Sequence, residues 1–163
     1  MPIDAAHVHL MLNHLPVIGA PLLLLLLTIG LLRSSRELVT VSLLLVVGLA
    51  AATGLVYLTG EPAEELVEHA SWFRDALAET HEEHATVSLV AVLITGALAG
   101  VAVALRHRPR AGALLPRIVW ACLLLSTALL GWTAWSGGQI RHEEVRATTV
   151  LRPFIPAEGP EPC

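Results

Sequence analysis

The side chains able to do chemistry gather in a few short stretches. His7-Val-His-Leu-Met-Leu-Asn-His-Leu-Pro16 carries three histidines and an asparagine into the start of a long apolar run. On a helix His7 and His14 share one face, while His9 and Asn13 share another that also holds Pro16. Glu61, Glu65 and His69 recur at i, i+4 and i+8. His81-Glu82-Glu83-His84 sets two histidines at i, i+3 just ahead of a second apolar run, and Gln139-Ile-Arg141-His142 follows a third. An imidazole beside hydrocarbon is costly unless something binds it, so such a group is a site candidate by default. The plainer alternative is a histidine satisfied by hydrogen bonds within its own bundle.

The elements that must position these groups are membrane spans. Of 163 residues 55% are hydrophobic and 15% charged, and the mean hydropathy is +0.68. Charge-free runs at Leu15 to Leu32, Leu38 to Leu58, Ala85 to Leu105 and Ile118 to Trp135 each approach the ~20 residues that a bilayer core requires. The expected fold is an all-α, four-transmembrane-helix bundle with spans at 10–32, 38–58, 85–105 and 117–136. It forms one domain over 1–147, and a proline-rich, mobile tail covers 148–163. The first run follows an acidic start and lacks a small-residue cleavage pattern, so it is read as a span and not a signal peptide.

Every basic side chain is arginine. Arg33 and Arg36 lie between spans one and two, and Arg106, Arg108, Arg110 and Arg117 between spans three and four. The positive-inside rule makes both loops cytoplasmic and both termini external, in a bacterial inner membrane. Every histidine except His107 then lies outside. Cys122 and Cys163 fall on opposite sides and cannot pair, and without Cys-x-x-Cys-His there is no covalently attached c-type haem.

Local signals fill in the rest. Asp4 is an N-cap for the first helix, and Pro16 and Pro21 should kink it just below His14. Gly60 and Pro62 read as a helix stop followed by a start. Leu66, Val67, Ala70, Phe73 and Leu77 recur at helical spacing, which predicts a short amphipathic surface helix between spans two and three. Glu64, Asp75 and Glu79 are a solvated acidic face. Gly96-x-x-x-Gly100 suits close helix contact and offers a surface for oligomerisation. Trp120, Trp132 and Trp135 fit aromatic belts.

Asn13-His14-Leu-Pro16, Thr59-Gly-Glu-Pro-Ala-Glu-Glu-Leu-Val-Glu-His69, His81-Glu-Glu and Gly137-Gly-Gln-Ile-Arg-His142, in that order around four spans, resemble a family of small bacterial membrane proteins with His and Glu motifs on the outer face. The resemblance covers most of Asp4 to Glu144. It implies the topology and a residue set of His14, Glu61, His69, His81 and His142. His84 and the tail do not carry over, and no activity does.

Histidines at one end of four helices suit a b-type haem clamped by two imidazoles. His14 with His81 or His84 is the first pair, and His69 with His142 a second; His9 is a further ligand candidate and Arg141 a partner for a propionate. Glu65, Glu82 or Glu83 would fix a ligand's other ring nitrogen. Electrons would pass to or from quinol or an external redox protein. The rival is a zinc, copper or iron centre built from His14, His81, His69, His142, Glu61 and Glu65. The diiron pattern needs paired Glu-x-x-His motifs that this chain lacks, and His81-Glu-Glu-His84 is one residue short of a zinc-protease motif. A third reading is a non-catalytic membrane subunit or assembly factor. Transport is disfavoured because only scattered Ser and Thr occur at mid-depth, and nucleic acid binding is excluded by the net charge of -4.

Overall fold

The computed structural model describes residues 4–146, and its regular elements are all helices. In chain order the helices are α1 (Ala5–Leu12), α2 (His14–Leu32), α3 (Arg36–Leu58), α4 (Gly60–Glu65), α5 (Asp75–Ala104) and α6 (Pro109–Arg141), followed by a 3₁₀ turn at Glu143–Val145. Taking α1 with α2 and α3 with α4, four rods are long and apolar enough to cross a membrane: Ala5–Leu32, Arg36–Glu65, Asp75–Ala104 and Pro109–Arg141. The expected tail and Cys163 lie outside the described residues.

The long helices form a closed ring in which α2 packs on α3, α3 on α5, α5 on α6 and α6 back on α2, while α1 rests on α4. Leu27, Leu43, Val46, Ala99, Val119 and Leu123 are buried at its centre. Outside, Leu22, Leu25, Leu44, Leu55, Val90 and Leu125 are about half exposed or more. Apolar side chains therefore cover both the inside and the outside of the ring, as in a bundle solvated by hydrocarbon.

Small residues set the spacing. A Cβ on Gly96 would collide with that of Ala50, so the glycine is what lets α5 close on α3 within one chain. Hydroxyls set the register. Ser88 meets Thr133 at 2.7 Å and Thr95 meets Ser126 at 3.0 Å, both across the α5–α6 seam, while Trp120 donates from α6 to Thr28 on α2 at 2.7 Å. The Ser and Thr residues that look scattered in sequence are thus paired in space.

Two expectations fail locally. No single surface helix carries Leu66 to Leu77: α4 ends at Glu65, turns follow, and Asp75 already opens α5. Leu66 is 57% exposed whereas Phe73 is buried, so the periodic residues do not share one face. The turns are closed by local bonds such as Ala70 N–H to the Val67 carbonyl and held from outside by Arg146, described below. Pro62 sits inside α4 instead of opening it, because α4 starts at Gly60, directly after the Thr59 cap of α3. The expected kink is present but displaced, at Asn13 ahead of His14 and not just below it, and Pro21 lies inside an unbroken α2. Pro16 has no N–H to offer the Leu12 carbonyl, and α1 ends at Leu12, with Asn13 as the joint to α2.

Candidate functional site: the histidine end

Asp4 caps α1 by accepting the His7 N–H at 2.9 Å, which also holds its carboxyl below the usual carboxylate range. The cap fixes where α1 begins and hence which face His9 occupies. His9 reaches across to the α3–α4 junction, its Nδ1 2.9 Å from Thr59 Oγ1. Thr59 already donates its hydroxyl proton to the Val56 carbonyl at 2.6 Å, so its oxygen must accept from His9 Nδ1–H.

His81, on the first turns of α5, is half buried against α6. Its Nδ1 lies 3.1 Å from the Thr133 carbonyl and 3.2 Å from Ser136 Oγ. Ser136 donates to that same carbonyl at 2.9 Å, so His81 Nδ1–H is the donor to both oxygens. Gly137 makes room for the ring: a Cβ there would stand 2.9 Å from His81 Cε1 and 3.1 Å from Nδ1.

His84, one turn along α5, lies against Trp132 of α6 with ring centroids 4.9 Å apart and a 48° tilt. Its Nδ1 is buried without a hydrogen-bond partner. His84 follows His81 by one turn of α5, and His9 sits at the α3–α4 junction. The three lie at the same end of the bundle, where they join α1, the α3–α4 junction, α5 and α6.

The remaining sequence candidates stand apart. His14 is exposed and bonds back one turn to α1, Nδ1–H donating to the Leu10 carbonyl at 2.7 Å. His69 is 93% exposed by its side chain, 3.7 Å from Glu68. His142 is exposed and meets Glu144 at 2.9 Å. The Glu144 carboxyl is held below its ordinary range, first by its own backbone N–H and then by this histidine. Glu61 and Glu65 are exposed on α4, and the Arg141 guanidinium lies 4.8 Å from the centre of the Trp72 ring, a cation–π contact.

Arg146 was not singled out by sequence. It donates to the carbonyls of Gln139 at 2.8 Å, Ile140 at 2.9 Å and Trp72 at 3.2 Å, and to Glu143 at 3.3 Å. It therefore ties the 66–74 turns to the end of α6. Nothing in the sequence marks it, since most of its partners are backbone oxygens and Trp72 is remote in the chain. The hydroxyl rows did leave a signal. His81, Ser88 and Thr95 on α5, like Ser126 and Thr133 on α6, are seven residues apart, the repeat of a helix seam.

Among the described residues no three His, Cys, Asp or Glu side chains converge closely enough to hold a metal ion between them. The arrangement offers instead imidazoles whose Nδ1–H is bonded to fixed oxygens, at His9, His14 and His81, so that in the neutral form Nε2 carries the lone pair. That is the ligand tautomer, with the outer hydrogen bond that orients a metal-bound histidine already made. The chain matches no family model, no curated protein and no solved structure.

Proposed function

We propose that this chain is an integral protein of a bacterial inner membrane with its histidine end and both termini outside, and that this end holds a b-type haem for electron transfer. Four long apolar rods, an apolar exterior and the clustering of Arg33, Arg36, Arg106, Arg108, Arg110 and Arg117 in the two opposite loops support the topology. One observation carries the haem reading. His9 and His81 come from separate helices, and each has Nδ1–H tied to a fixed oxygen.

The donor set suits the group. A b-type haem would be held by one or two neutral imidazoles, whereas a bare ion asks for three or four converging ligands. His9 and His81 are the pair that would hold it, in place of the His14 pairing expected from sequence, with His84 the adjacent alternative. When bound, the haem would supply reversible one-electron transfer. Thr59 and the Thr133 carbonyl orient the two rings and raise their basicity, and the Gly137 notch seats His81. Quinol or an external redox protein is the fitting electron partner.

The test is a visible spectrum of the purified chain, oxidised and then reduced. A strong Soret band with sharp reduced bands is expected. His9→Ala and His81→Ala should each strip the cofactor, and His107→Ala should leave it unchanged. Should His14→Ala strip it while His9→Ala does not, the sequence-based pair is the right one. A colourless protein with stoichiometric zinc, copper or iron refutes the haem reading in favour of the metal centre, and one with neither favours the non-catalytic subunit.

A further inference from the structure

The segment 60–74, which leaves α3 and enters α5, lies across the histidine end of the bundle. In the ring of long helices α3 and α6 stand diagonally opposite, each packed between α2 and α5. The segment begins at the end of α3, and its Trp72 is held at the end of α6. There the Trp72 carbonyl accepts from Arg146 at 3.2 Å, and its ring lies 4.8 Å from the Arg141 guanidinium. A stretch fixed at both of those helix ends spans the diagonal as a strap. Both histidines of the proposed site lie along it. At the first residue of the strap, a Cβ on Gly60 would stand 3.8 Å from His9 Cε1. At its pinned end Arg146 also donates to the carbonyls of Gln139 and Ile140, just beyond the Gly137 that seats His81.

The strap is held weakly from within and firmly from outside. Its backbone bonds are local, from Val67 and Glu68 back to Glu64, from Ala70 to Val67 and from Phe73 to Ala70. Ala63 and Phe73 are buried, whereas Leu66, Glu68 and His69 are exposed. Arg146 is a different kind of contact, because its side chain is only 15% exposed and its donors are divided between the strap and α6. Its acceptors on α6 are carbonyls of the last turn, where the partial negative charge of a helix end favours a cation. A planar guanidinium reaches several oxygens at once, which a lysine ammonium cannot copy. Breaking this contact opens the strap locally and leaves the long helices packed on one another.

We propose that 60–74 is a lid over the histidine end, latched at Trp72 by Arg141 and Arg146, and that its opening sets the access of solutes and cofactor from the outer side to His9 and His81. The proposal rests on the reading of that end as the functional site and adds the way in.

The experiment uses the purified full chain, its Arg146→Lys variant and the milder Arg141→Ala variant. Hydrogen exchange reads opening of 66–74, and mass spectrometry reads the rate at which diethyl pyrocarbonate modifies each histidine. In Arg146→Lys both the exchange of the strap and the modification of His81 should rise about tenfold, and in Arg141→Ala about threefold. His14 and His107, which are exposed and off the strap, should keep their wild-type rates. Unchanged exchange in both variants, or faster exchange without faster modification of His81, would overturn the lid. So would a rise shared by His14 and His107, since the arginines would then be holding the bundle and not the strap. Where the chain carries haem, the same opening reads as faster loss of haem to a scavenging apoglobin. Haem lost at the wild-type rate from both variants sinks the lid alone, whereas faster His81 modification in a colourless chain supports the lid and sinks the haem reading.

Discussion

The two ends of the bundle are built by different rules. At one end Arg106 and Arg117 donate to carbonyls of their own helices, at 2.9 and 2.8 Å, and His107, Arg108 and Arg110 are exposed. These contacts are local and replaceable, because a solvated cation near a helix end needs charge and little geometry. At the other end His9 bonds to a residue fifty positions away and His81 to residues more than fifty away, each through one ring nitrogen with a defined acceptor. Interchangeable anchors report topology, whereas long-range bonds that fix a tautomer report a site.

A matched pair of glycines gives the largest expected contrast. A Cβ on Gly137 would stand 2.9 Å from His81 Cε1, and one on Gly112 would stand 2.6 Å from the Arg106 carbonyl. Both alanine variants should lose about 1–3 kcal/mol of stability from overpacking. Gly137→Ala should also push the His81 ring off Thr133 and, on the proposed haem reading, lower the bound cofactor severalfold, whereas Gly112→Ala should keep the wild-type ratio of cofactor to protein. Equal ratios in the two variants would mean that the ends do not differ as described.

The four long apolar helices were legible because the length of an apolar run is counted along the chain and needs no tertiary knowledge. The site was less so. Sequence ranks His14 above His9, and what reverses the order is the break at the Asn13 joint and the seat of α1 on α4, neither of which is written locally. The surface helix failed for a related reason. Leu66 to Leu77 has helical periodicity, but Asp75 already starts α5 and Arg146 pins the Trp72 carbonyl, so tertiary bonds override the pattern.

An intermediate effect probes how the histidine end is joined to the middle of the bundle. A double-mutant cycle with Ser88→Ala and Thr133→Val should give a coupling of about 0.6 kcal/mol, typical of an interhelical hydrogen bond in a membrane protein. The Thr133 carbonyl that receives His81 belongs to the same residue. If register matters more than energy, Thr133→Val should loosen cofactor binding beyond what this small loss of stability explains. Removing the Trp120 bond to Thr28 with Trp120→Phe, on another seam, should cost comparable stability and leave the cofactor alone.

The smallest expected effect lies at the arginine end. Ser34, between α2 and α3, is the only non-glycine residue with positive φ among the described residues, at 51°. Its N–H donates to the Leu31 carbonyl at 3.2 Å and that of Ser35 to Gly30 at 3.0 Å, so the loop closes α2 through a left-handed residue, where glycine or asparagine is usual. Relief of the left-handed conformation is worth roughly 1–2 kcal/mol, but glycine gives back about 0.4–1 kcal/mol by freeing the unfolded chain. Ser34→Gly should therefore raise the thermal midpoint only slightly. Ser34→Asn tolerates the same backbone without that entropic loss and should do at least as well, whereas Ser34→Val should lower the midpoint by more than either raises it. None of the three should alter bound cofactor, since Ser34 sits at the far end of the bundle from His81. A change in cofactor with any of them would show that the two ends are mechanically coupled through α2 and α3, and the contrast between them would then have to be redrawn.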